Sequence, residues 1–206
     1  MTDEAQLARW NQRFSTEDYL FGTAPNAFLA SQQPLLRGLA SGTALSIADG
    51  EGRNGVFLAE QGLDVLSVDF SPVGLAKAKK LAASRGVALR TEQADLFAWD
   101  WSGRSFDVVV AIFVQFATPP ERARLFANLR GAVKKGGLLL IQGYRPEQLQ
   151  YGTGGPPHAS HMYTAAMLRE VFADMTILHL AEHDEVVLEG SGHAGMSALV
   201  DMVARK

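Results

Sequence analysis

A chain of 206 residues, 47% of them hydrophobic and 20% charged, is large enough to bury a substantial core, which excludes disorder over most of its length. Its net charge of −3 gives no global attraction to nucleic acid or to an anionic membrane, and its lack of cysteine excludes disulfides and cysteine-ligated zinc. No stretch approaches the ~18 apolar residues of a membrane span. We therefore expect a cytoplasmic protein that acts on a small molecule, without a nucleic-acid or membrane partner and without a metal site.

The amino-terminal segment is predicted to be helical. Residues 3–14 have the periodicity of an amphipathic helix, and a loop from Tyr19 leads to a second helical stretch that Pro34 divides. Four aromatic side chains in this segment either cover the end of a sheet as a lid or pack as core: Trp10, Phe14, Tyr19 and Phe21. We expect residues 1–40 to form a lid over residues 41–206, all within a single domain.

A glycine-rich turn follows the first predicted strand. The run ALSI, residues 44–47, has the character of a strand, and the turn ADGEGR leads from it into a helix. Gly50 and Gly52 let the backbone turn sharply, and the first N–H groups of the helix remain free for a ligand at the carboxyl end of the strand. The turn therefore contributes six candidate cofactor-binding residues: Ala48, Asp49, Gly50, Glu51, Gly52 and Arg53.

The carboxyl ends of the next strands carry further candidate ligand contacts. Asp69 ends a second predicted strand, about one ribose away from the glycine turn, and Asp95 follows a third strand at 87–92. Asp95 could accept from an adenine amine or could instead cap a helix. The apolar run 106–113 predicts a central parallel strand that is buried on both faces. The candidates at these three ends are Asp69 and Phe70, Asp95 and Leu96, and Ile112 and Phe113.

The rest of the chain continues the alternation of strand and helix and then departs from it. The further predicted elements are helices at 72–85, 118–129 and 164–172, a fifth strand at 138–142, and extended segments at 175–183, 186–189 and 196–203. Residues 143–163 are predicted to form a long loop, and such loops are usually functional. The pattern predicts an α/β fold: a Rossmann-like, doubly wound sheet of seven strands, mostly parallel, with an antiparallel last strand.

Two cofactors fit the glycine turn. The letters GEGRNG match the dinucleotide fingerprint G-x-G-x-x-G, with a carboxylate at the end of the next strand. The carboxylates of Asp49 and Glu51 would oppose a pyrophosphate unless both pointed away from it. S-adenosylmethionine carries no phosphate, its ammonium suits acidic groups, and backbone N–H groups or Arg53 can meet its carboxylate.

Several motifs together resemble the class I S-adenosylmethionine-dependent methyltransferases. They are the strand with its glycine turn, Asp69, Asp95, the run FDVVVAIF and the turn KKGG before the fifth strand. More narrowly, GEGRN, YLFGTAPN and GTGGPP resemble bacterial tellurite-resistance and thiopurine-methyltransferase-like proteins. The resemblance implies S-adenosyl-L-methionine as cofactor, S-adenosyl-L-homocysteine as product, and Tyr19 as a further cofactor contact.

Two positions depart from the pattern of that family. Ser46 and Ala48 stand where the first motif of the family usually has an acidic residue and its first glycine. Asp49 or Glu51 is therefore left as the possible substitute for the acidic residue.

Methyl transfer from a sulfonium is an in-line displacement that requires alignment of the reactants and exclusion of water. A thiolate or a tellurium oxyanion needs no base, whereas an alcohol or an ammonium must lose a proton. Candidate bases are His158, His161 and Tyr163, and Arg145 is a candidate anchor for an anionic acceptor. We expect a soft acceptor, a thiol or a metalloid oxyanion such as tellurite. A nicotinamide-dependent oxidoreductase and a module that binds S-adenosylmethionine without turnover remain as alternatives.

Overall fold

The computed structural model describes residues 3–206, and the chain divides into two compact units. The first unit comprises residues 3–99 together with Glu189–Gly192, and the second comprises Asp100–Leu188 and His193–Lys206. Residues 1 and 2 of the predicted lid lie outside the described residues. The assignment of residues 1–40 as a lid over a single-domain core stays a prediction.

In the first unit, three parallel strands alternate with helices. The helices are α1 (Asp3–Phe14), α2 (Ala27–Ser31), α3 (Gln33–Arg37), α4 (Arg53–Glu60) and α5 (Pro72–Ser84), and the strands are β1 (Thr43–Ile47), β2 (Asp64–Asp69) and β3 (Arg90–Gln93). β1 pairs with β2 so that Ile47 lies opposite Val68, and β2 pairs with β3 so that Asp69 lies opposite Gln93. The carboxyl ends of β1 and β2 are therefore level with each other.

Local side-chain bonds begin two helices of this unit, α2 and α5. Asn26 and Ser71 are N-caps, whose side-chain oxygens accept from backbone N–H groups in the first turns of α2 and α5. Pro72 follows Ser71 at the first helical position, where its missing N–H costs nothing. The predicted division of the second helical stretch is confirmed, with the break at Gln32 and Pro34 in the first turn of α3.

β3 is shorter than predicted. The sequence predicts a strand at 87–92, whereas β3 begins only at Arg90. The N–H of Val87 donates to the carbonyl of Ala82 at 3.1 Å, and Val87 and Leu89 pack against buried side chains of α4 and α5. These residues are therefore used to end α5 and to cover the helices, and they are not available for strand pairing.

In the second unit, two parallel strands are followed by an antiparallel return. Its elements are β4 (Phe106–Ile112), α6 (Pro119–Ala132), β5 (Val133–Tyr144), α7 (Gln148–Tyr151), a 3-10 turn (Ala159–His161), α8 (Ala165–Val171), β6 (Thr176–Glu189) and β7 (His193–Arg205). The last residue of β6, Glu189, belongs to the first unit. β4 is parallel to β5, and β5 is antiparallel to β7, with Gln142 opposite Asp201.

β5 is longer than predicted. The sequence predicts a strand at 138–142 after a KKGG turn, but β5 extends from Val133 to Tyr144. The pairing of β4 with β5 shifts register between Phe106 and Val108, and Gly136 has a φ of +82°. The lysine and glycine residues therefore form an irregular beginning of the strand, because pairing continues on both sides of them.

Two further predictions in the last third of the chain need correction. The predicted loop 143–163 contains α7 and a 3-10 turn, and the buried amide of Gln148 fixes it by donating to Thr153 Oγ1 at 3.0 Å and accepting from the Ala198 N–H at 2.9 Å. The predicted extended segments at 175–183 and 186–189 are one continuous strand, β6.

The predicted fold class is confirmed. The seven strands form one sheet in the order β3-β2-β1-β4-β5-β7-β6, mostly parallel, with the antiparallel return at its end. None of the helices within residues 3–206 combines the length and the hydrophobicity that crossing a membrane requires.

Ala48, which follows β1, has a φ of +47°, in the region that favours glycine. A left-handed conformation costs a residue with a Cβ roughly 1–2 kcal/mol. We expect Ala48→Gly to raise the free energy of unfolding by about 0.5–1 kcal/mol, measured by urea denaturation. The control is Ala59→Gly inside α4, which should lower it by a similar amount. A destabilised Ala48→Gly variant would show that packing of the methyl group outweighs the backbone strain.

Candidate functional site

The carboxylate of Asp49 holds the glycine turn of the first unit together. It is buried and accepts from Ser46 Oγ at 2.8 Å, from Ser67 Oγ at 2.7 Å and from the Gly55 N–H at 3.2 Å. Burial raises the pKa of Asp49, although these hydrogen bonds and nearby Arg53 act to lower it. Since Ser46 donates to Asp49, the carboxylate lies beside the position where the family motif usually has its acidic residue.

The carboxylate of Asp69 accepts a hydrogen bond from the next part of the same turn. One oxygen accepts from the Gly50 N–H and the other from the Ser71 N–H, each at 2.8 Å. Burial raises the pKa of Asp69 to about 6, which the backbone hydrogen bonds oppose and nearby Asp49 reinforces. Each carboxylate oxygen can accept a further hydrogen bond, so Asp69 can still bind a pair of hydroxyl groups.

Helix α1 packs directly on the glycine turn. The Phe14 ring is buried, and its Cζ would lie 3.1 Å from a Cβ atom placed on Gly50. Asn11 Oδ1 accepts from Ser71 Oγ at 2.6 Å, and the ring of Trp10 stacks on Phe14 at 5.4 Å between centroids. Phe14 is therefore a core residue of the first unit and also a contact of the turn. Closure of α1 over a ligand stays a prediction.

The carboxylate of Glu51 is buried and paired with Lys77. Oε1 of Glu51 lies 2.5 Å from Lys77 Nζ, which also donates to the carbonyls of Thr16 at 3.0 Å and Asp18 at 2.6 Å. Tyr19 completes the group, because Lys77 Nζ lies 4.8 Å from the centroid of its ring. Within residues 3–206, the second oxygen of Glu51 is buried and has no hydrogen-bond partner.

The guanidinium of Arg53 is buried on the other side of Gly52. Its Nη2 donates to Glu189 Oε2 at 2.6 Å, while its Nη1 has no hydrogen-bond partner among the described residues. Gly52 has a φ of +86°, and a Cβ atom there would lie 2.4 Å from the Cβ of Ala78. The turn therefore presents one buried acceptor, on Glu51, and one buried donor, on Arg53, that residues 3–206 do not match with a hydrogen bond.

Asp95 begins a turn and not a helix, so the helix-cap role that the sequence left open for it is wrong. Its Oδ1 accepts from the Phe97 N–H at 2.9 Å, and Leu96 between them is buried. The carbonyl of Phe70 accepts from Gln93 Nε2 at 3.3 Å. A contact of Asp95 with adenine, through its second oxygen, stays a prediction.

In the second unit, three aromatic rings meet at the carboxyl ends of β4 and β5. Phe113, directly after Ile112, has a φ of +56°, and its N–H donates to the carbonyl of Gln142 at 2.8 Å. Its ring lies 4.8 Å from that of Tyr144 and 4.3 Å from that of His193, between centroids. A left-handed phenylalanine is uncommon and marks a candidate functional position.

The polar side chains next to these rings are bound within the chain. Gln115 donates to the Tyr144 carbonyl at 2.9 Å and accepts from the Tyr144 N–H at 2.6 Å. The hydroxyl of Tyr163 donates to the carbonyl of Val114, and burial raises the pKa of Tyr163. Because its hydroxyl stays protonated near neutral pH, Tyr163 is not suited to be a general base.

Arg145 is held by acidic side chains of the second unit. Its guanidinium forms ion pairs with Asp184 and, at 3.4 Å, with Glu147. The hydroxyl of Tyr151 also donates to Asp184, at 2.8 Å. Two carboxylates therefore already neutralise the cation that the sequence suggested as an anchor for an anion.

The two candidate histidines lie close together in the segment after α7. The rings of His158 and His161 are 5.8 Å apart between centroids, and His158 is exposed. Neither contacts Arg145 through a hydrogen bond or ion pair within residues 3–206.

Comparison with known proteins shows what the chain is similar to. Residues 44–137 match the family described as "Methyltransferase domain". The glycine/sarcosine N-methyltransferase of Parasynechococcus marenigrum (strain WH8102) is 29% identical over 154 residues, which are 71% of this chain and 50% of that protein. The chain thus spans about half the length of the curated relatives that it matches.

The matched methyltransferase segment is just under half of the chain, so it shows what this segment is similar to. Two solved neighbours of the same fold hold S-adenosylhomocysteine.

Two solved structures of this methyltransferase fold illustrate the similarity. The structure solved for the conversion of a disulfide bond into a thioacetal group during echinomycin biosynthesis has a TM-score of 0.75 and 20% identity, and the alignment covers 100% of this chain and 93% of that one. TehB from Haemophilus influenzae has a TM-score of 0.72 and 18% identity, with 98% and 67% covered. At these identities the likeness shows the fold alone.

Three residues were missed from the sequence, two beside the glycine turn and one beside the aromatic rings of the second unit. Lys77 was attributed only to a helix, although its ammonium binds Glu51 and the segment before Tyr19. Glu189 and His193 flank the run GSG, which signals a tight turn but gives no indication of which side chains lie beside it. The pairing of Glu189 with Arg53 joins residues 136 positions apart, beyond the reach of any local pattern.

The raised pKa of Asp69 predicts a pH-dependent stability. Folded Asp69 titrates at about 6, above its ordinary value of 3.8, so the folded protein binds more protons between these values. The free energy of unfolding should therefore fall as pH rises from about 4 to about 6, by at most about 1.4 kcal/mol per pH unit from this group. Asp69→Asn should remove this slope in urea denaturation at pH 4 to 7. Parallel pH profiles for the two proteins would contradict the raised pKa.

Proposed function

We propose that the protein transfers a methyl group from S-adenosylmethionine to a small soft nucleophile. A thiol is favoured over a metalloid oxyanion as this acceptor. The observation that supports the cofactor site is a pair of buried side chains on either side of Gly52. Glu51 and Arg53 each have an atom without a hydrogen-bond partner among residues 3–206. The free oxygen of Glu51 suits the ammonium of the methionine end, and the free Nη1 of Arg53 suits its carboxylate. Asp69 would accept from the ribose hydroxyls through lone pairs that Gly50 and Ser71 leave unused.

The nicotinamide alternative is disfavoured by the match to a methyltransferase domain rather than by charge repulsion. The carboxylate of Asp49 points into the glycine turn, where it accepts hydrogen bonds, and the carboxylate of Glu51 is paired with Lys77. Both negative charges are therefore stabilised by groups of the protein. They would therefore oppose a pyrophosphate less than the sequence suggested. The methyltransferase family match, together with a donor and an acceptor suited to an amino-acid end, favours S-adenosylmethionine.

The acceptor is proposed from the groups at the ends of β4 and β5. Gln115 is bonded to the backbone of Tyr144, and Arg145 is paired with two carboxylates, so these polar groups are occupied by the chain. What remains there is largely aromatic, with Phe113 against Tyr144. A polarisable thiol suits such surroundings, whereas an oxyanion would have to displace the carboxylates from Arg145.

The chemical step requires little proton chemistry for a soft acceptor. S-adenosylmethionine supplies an electrophilic methyl group, whose bond to sulfur breaks as the bond to the nucleophile forms, and the sulfur keeps the electron pair. The side chains of this protein would contribute by positioning and by excluding water, which can supply most of the rate. The echinomycin-related neighbour also concerns sulfur, since its subject is a disulfide converted into a thioacetal.

A small amine is the second candidate acceptor. His193 lies against Phe113 and is a possible proton acceptor beside the aromatic rings. The relative from Parasynechococcus marenigrum is named a glycine/sarcosine N-methyltransferase, which adds weight to an amine. The cytoplasmic location and the absence of a nucleic-acid or membrane partner stay predictions, as do cofactor contacts of Tyr19, Ile112 and Phe113.

The cofactor proposal predicts the effect of removing Asp69. Charge-assisted hydrogen bonds contribute about 1.5–3 kcal/mol, so Asp69→Ala should weaken S-adenosylmethionine roughly ten- to a hundredfold in calorimetry. Asp95→Asn should weaken it less, because an amide oxygen still accepts from an amine. Asp64→Ala, at the exposed start of the same strand as Asp69, is the control and should bind like the parent. Unchanged affinity in a folded Asp69→Ala variant, or binding of NAD, would refute the assignment.

The acceptor proposal predicts small effects of histidine substitution. With a thiol acceptor that binds as the thiolate, after losing its proton to solvent, His158→Ala, His161→Ala and His193→Gln should each lower the rate of methyl transfer less than about tenfold, since no base of the protein is needed. The measurement is S-adenosylhomocysteine formation with a panel of thiols, tellurite, glycine and sarcosine. Turnover of an amine, with a loss of about 100-fold or more in His193→Gln alone, would establish the second candidate. Cofactor binding without any product across the panel would favour the non-catalytic binding module.

A further inference from the structure

Three hydrogen-bond donors converge on Glu189, the last residue of β6. Its Oε2 accepts from Arg53 Nη2 at 2.6 Å, and its Oε1 accepts from Asn26 Nδ2 at 2.9 Å and from the Ala27 N–H at 3.2 Å. The side chain of Arg53 is only 7% exposed and that of Glu189 only 11%. Because all three partners donate, both oxygens must accept, which a carboxylate does and a carboxamide cannot.

The backbone around Glu189 is fixed by the amino-terminal segment. The N–H of Gly192 donates to the carbonyl of Leu20 at 2.9 Å. Gly190 has a φ of +66°, and a Cβ atom there would lie 2.4 Å from the same carbonyl oxygen. The chain is thus packed so closely that a side chain at Gly190 would not fit. Glu189 is therefore presented to Arg53 from a defined backbone position.

Arg53 also has a second carboxylate within electrostatic reach. Its charge lowers the pKa of Asp49, the residue that holds the glycine turn. The N–H of Asn26 donates to Oδ1 of Asn54, the residue after Arg53, at 3.0 Å. Without Glu189, the long side chain of Arg53 could turn towards Asp49. Its Nη1, which has no partner among residues 3–206, would then point away from its present direction.

We infer that Glu189 is a positioning residue that aims Arg53 at the carboxylate of the methionine end of S-adenosylmethionine. The inference rests on the cofactor site proposed above. Glu189 itself does not touch the cofactor. It occupies Nη2 of the guanidinium and so leaves Nη1, buried and unmatched by the described residues, for the ligand. The specificity that it provides is for ligands that carry an amino-acid end.

The test compares a ligand that has this amino-acid end with a ligand that lacks it and has an uncharged sulfur. Calorimetry measures the affinity of S-adenosylmethionine and of 5′-methylthioadenosine, which keeps the adenosine and the sulfur but lacks the ammonium and the carboxylate. In Glu189→Gln, affinity for S-adenosylmethionine should fall about tenfold or more, the range of one charge-assisted hydrogen bond. Affinity for 5′-methylthioadenosine should stay within about twofold. Glu185→Gln, an exposed change on the same strand, should alter neither affinity.

A double-mutant cycle tests whether Glu189 acts through Arg53. Arg53→Gln should also weaken S-adenosylmethionine selectively, and adding Glu189→Gln to it should cause no further loss. Additive losses would overturn the inference, because Glu189 would then act on binding by another route. Glu189→Asp keeps the charge one methylene shorter and should give a smaller, equally selective loss. If Glu189→Gln does not fold, the affinities of the two ligands are compared in Glu189→Asp instead.

The outcomes separate this inference from the cofactor proposal. If Glu189→Gln weakened the affinity for both ligands equally, the ion pair of Arg53 and Glu189 would have only a structural role, and the inference would be overturned. Unchanged affinity of Glu189→Gln for S-adenosylmethionine would overturn the positioning role while leaving the cofactor site intact. A parent protein that binds neither ligand would instead refute the proposed function itself.

Discussion

The first unit depends on the buried carboxylate of Asp49. A charge removed from water must be matched by hydrogen bonds, and these come from Ser46 on β1, Ser67 on β2 and the backbone of Gly55 in α4. One side chain thereby ties two strand ends to the start of a helix. A Cβ atom on Gly55 would lie 2.4 Å from this carboxylate, so the helix can approach it only because that residue is glycine.

The charges of the glycine turn are organised around this fixed backbone. Glu51 and Arg53 are each paired with a side chain from elsewhere in the first unit, Lys77 and Glu189, and each keeps one buried atom unmatched. Internal ion pairs of this kind add little to stability, because the cost of desolvation offsets the attraction. Their contribution is to hold a donor and an acceptor in place before a ligand arrives, which lowers the ordering cost of binding.

The second unit holds its polar groups in a different way. Gln115, Arg145 and Tyr163 are all engaged by carbonyl or carboxylate partners of their own unit, while Phe113 is kept in a left-handed conformation beside His193. Neutralised polar groups beside aromatic rings favour acceptors that bring a polarisable atom rather than a full negative charge. His193 lies against Phe113 and adds a proton acceptor beside these rings, and so the choice between a thiol and an amine depends on it.

The sequence by itself determined the order of strands and helices, the glycine turn and the position of Asp69 at the end of β2. These features follow from hydrophobic periodicity, helix caps and glycine placement, which act over a few residues. Only the tertiary structure decided the length of β5 and the partners of Glu51 and Arg53. Those outcomes depend on side chains distant in sequence, since a buried charge selects its partner by proximity in space. No local pattern records that proximity.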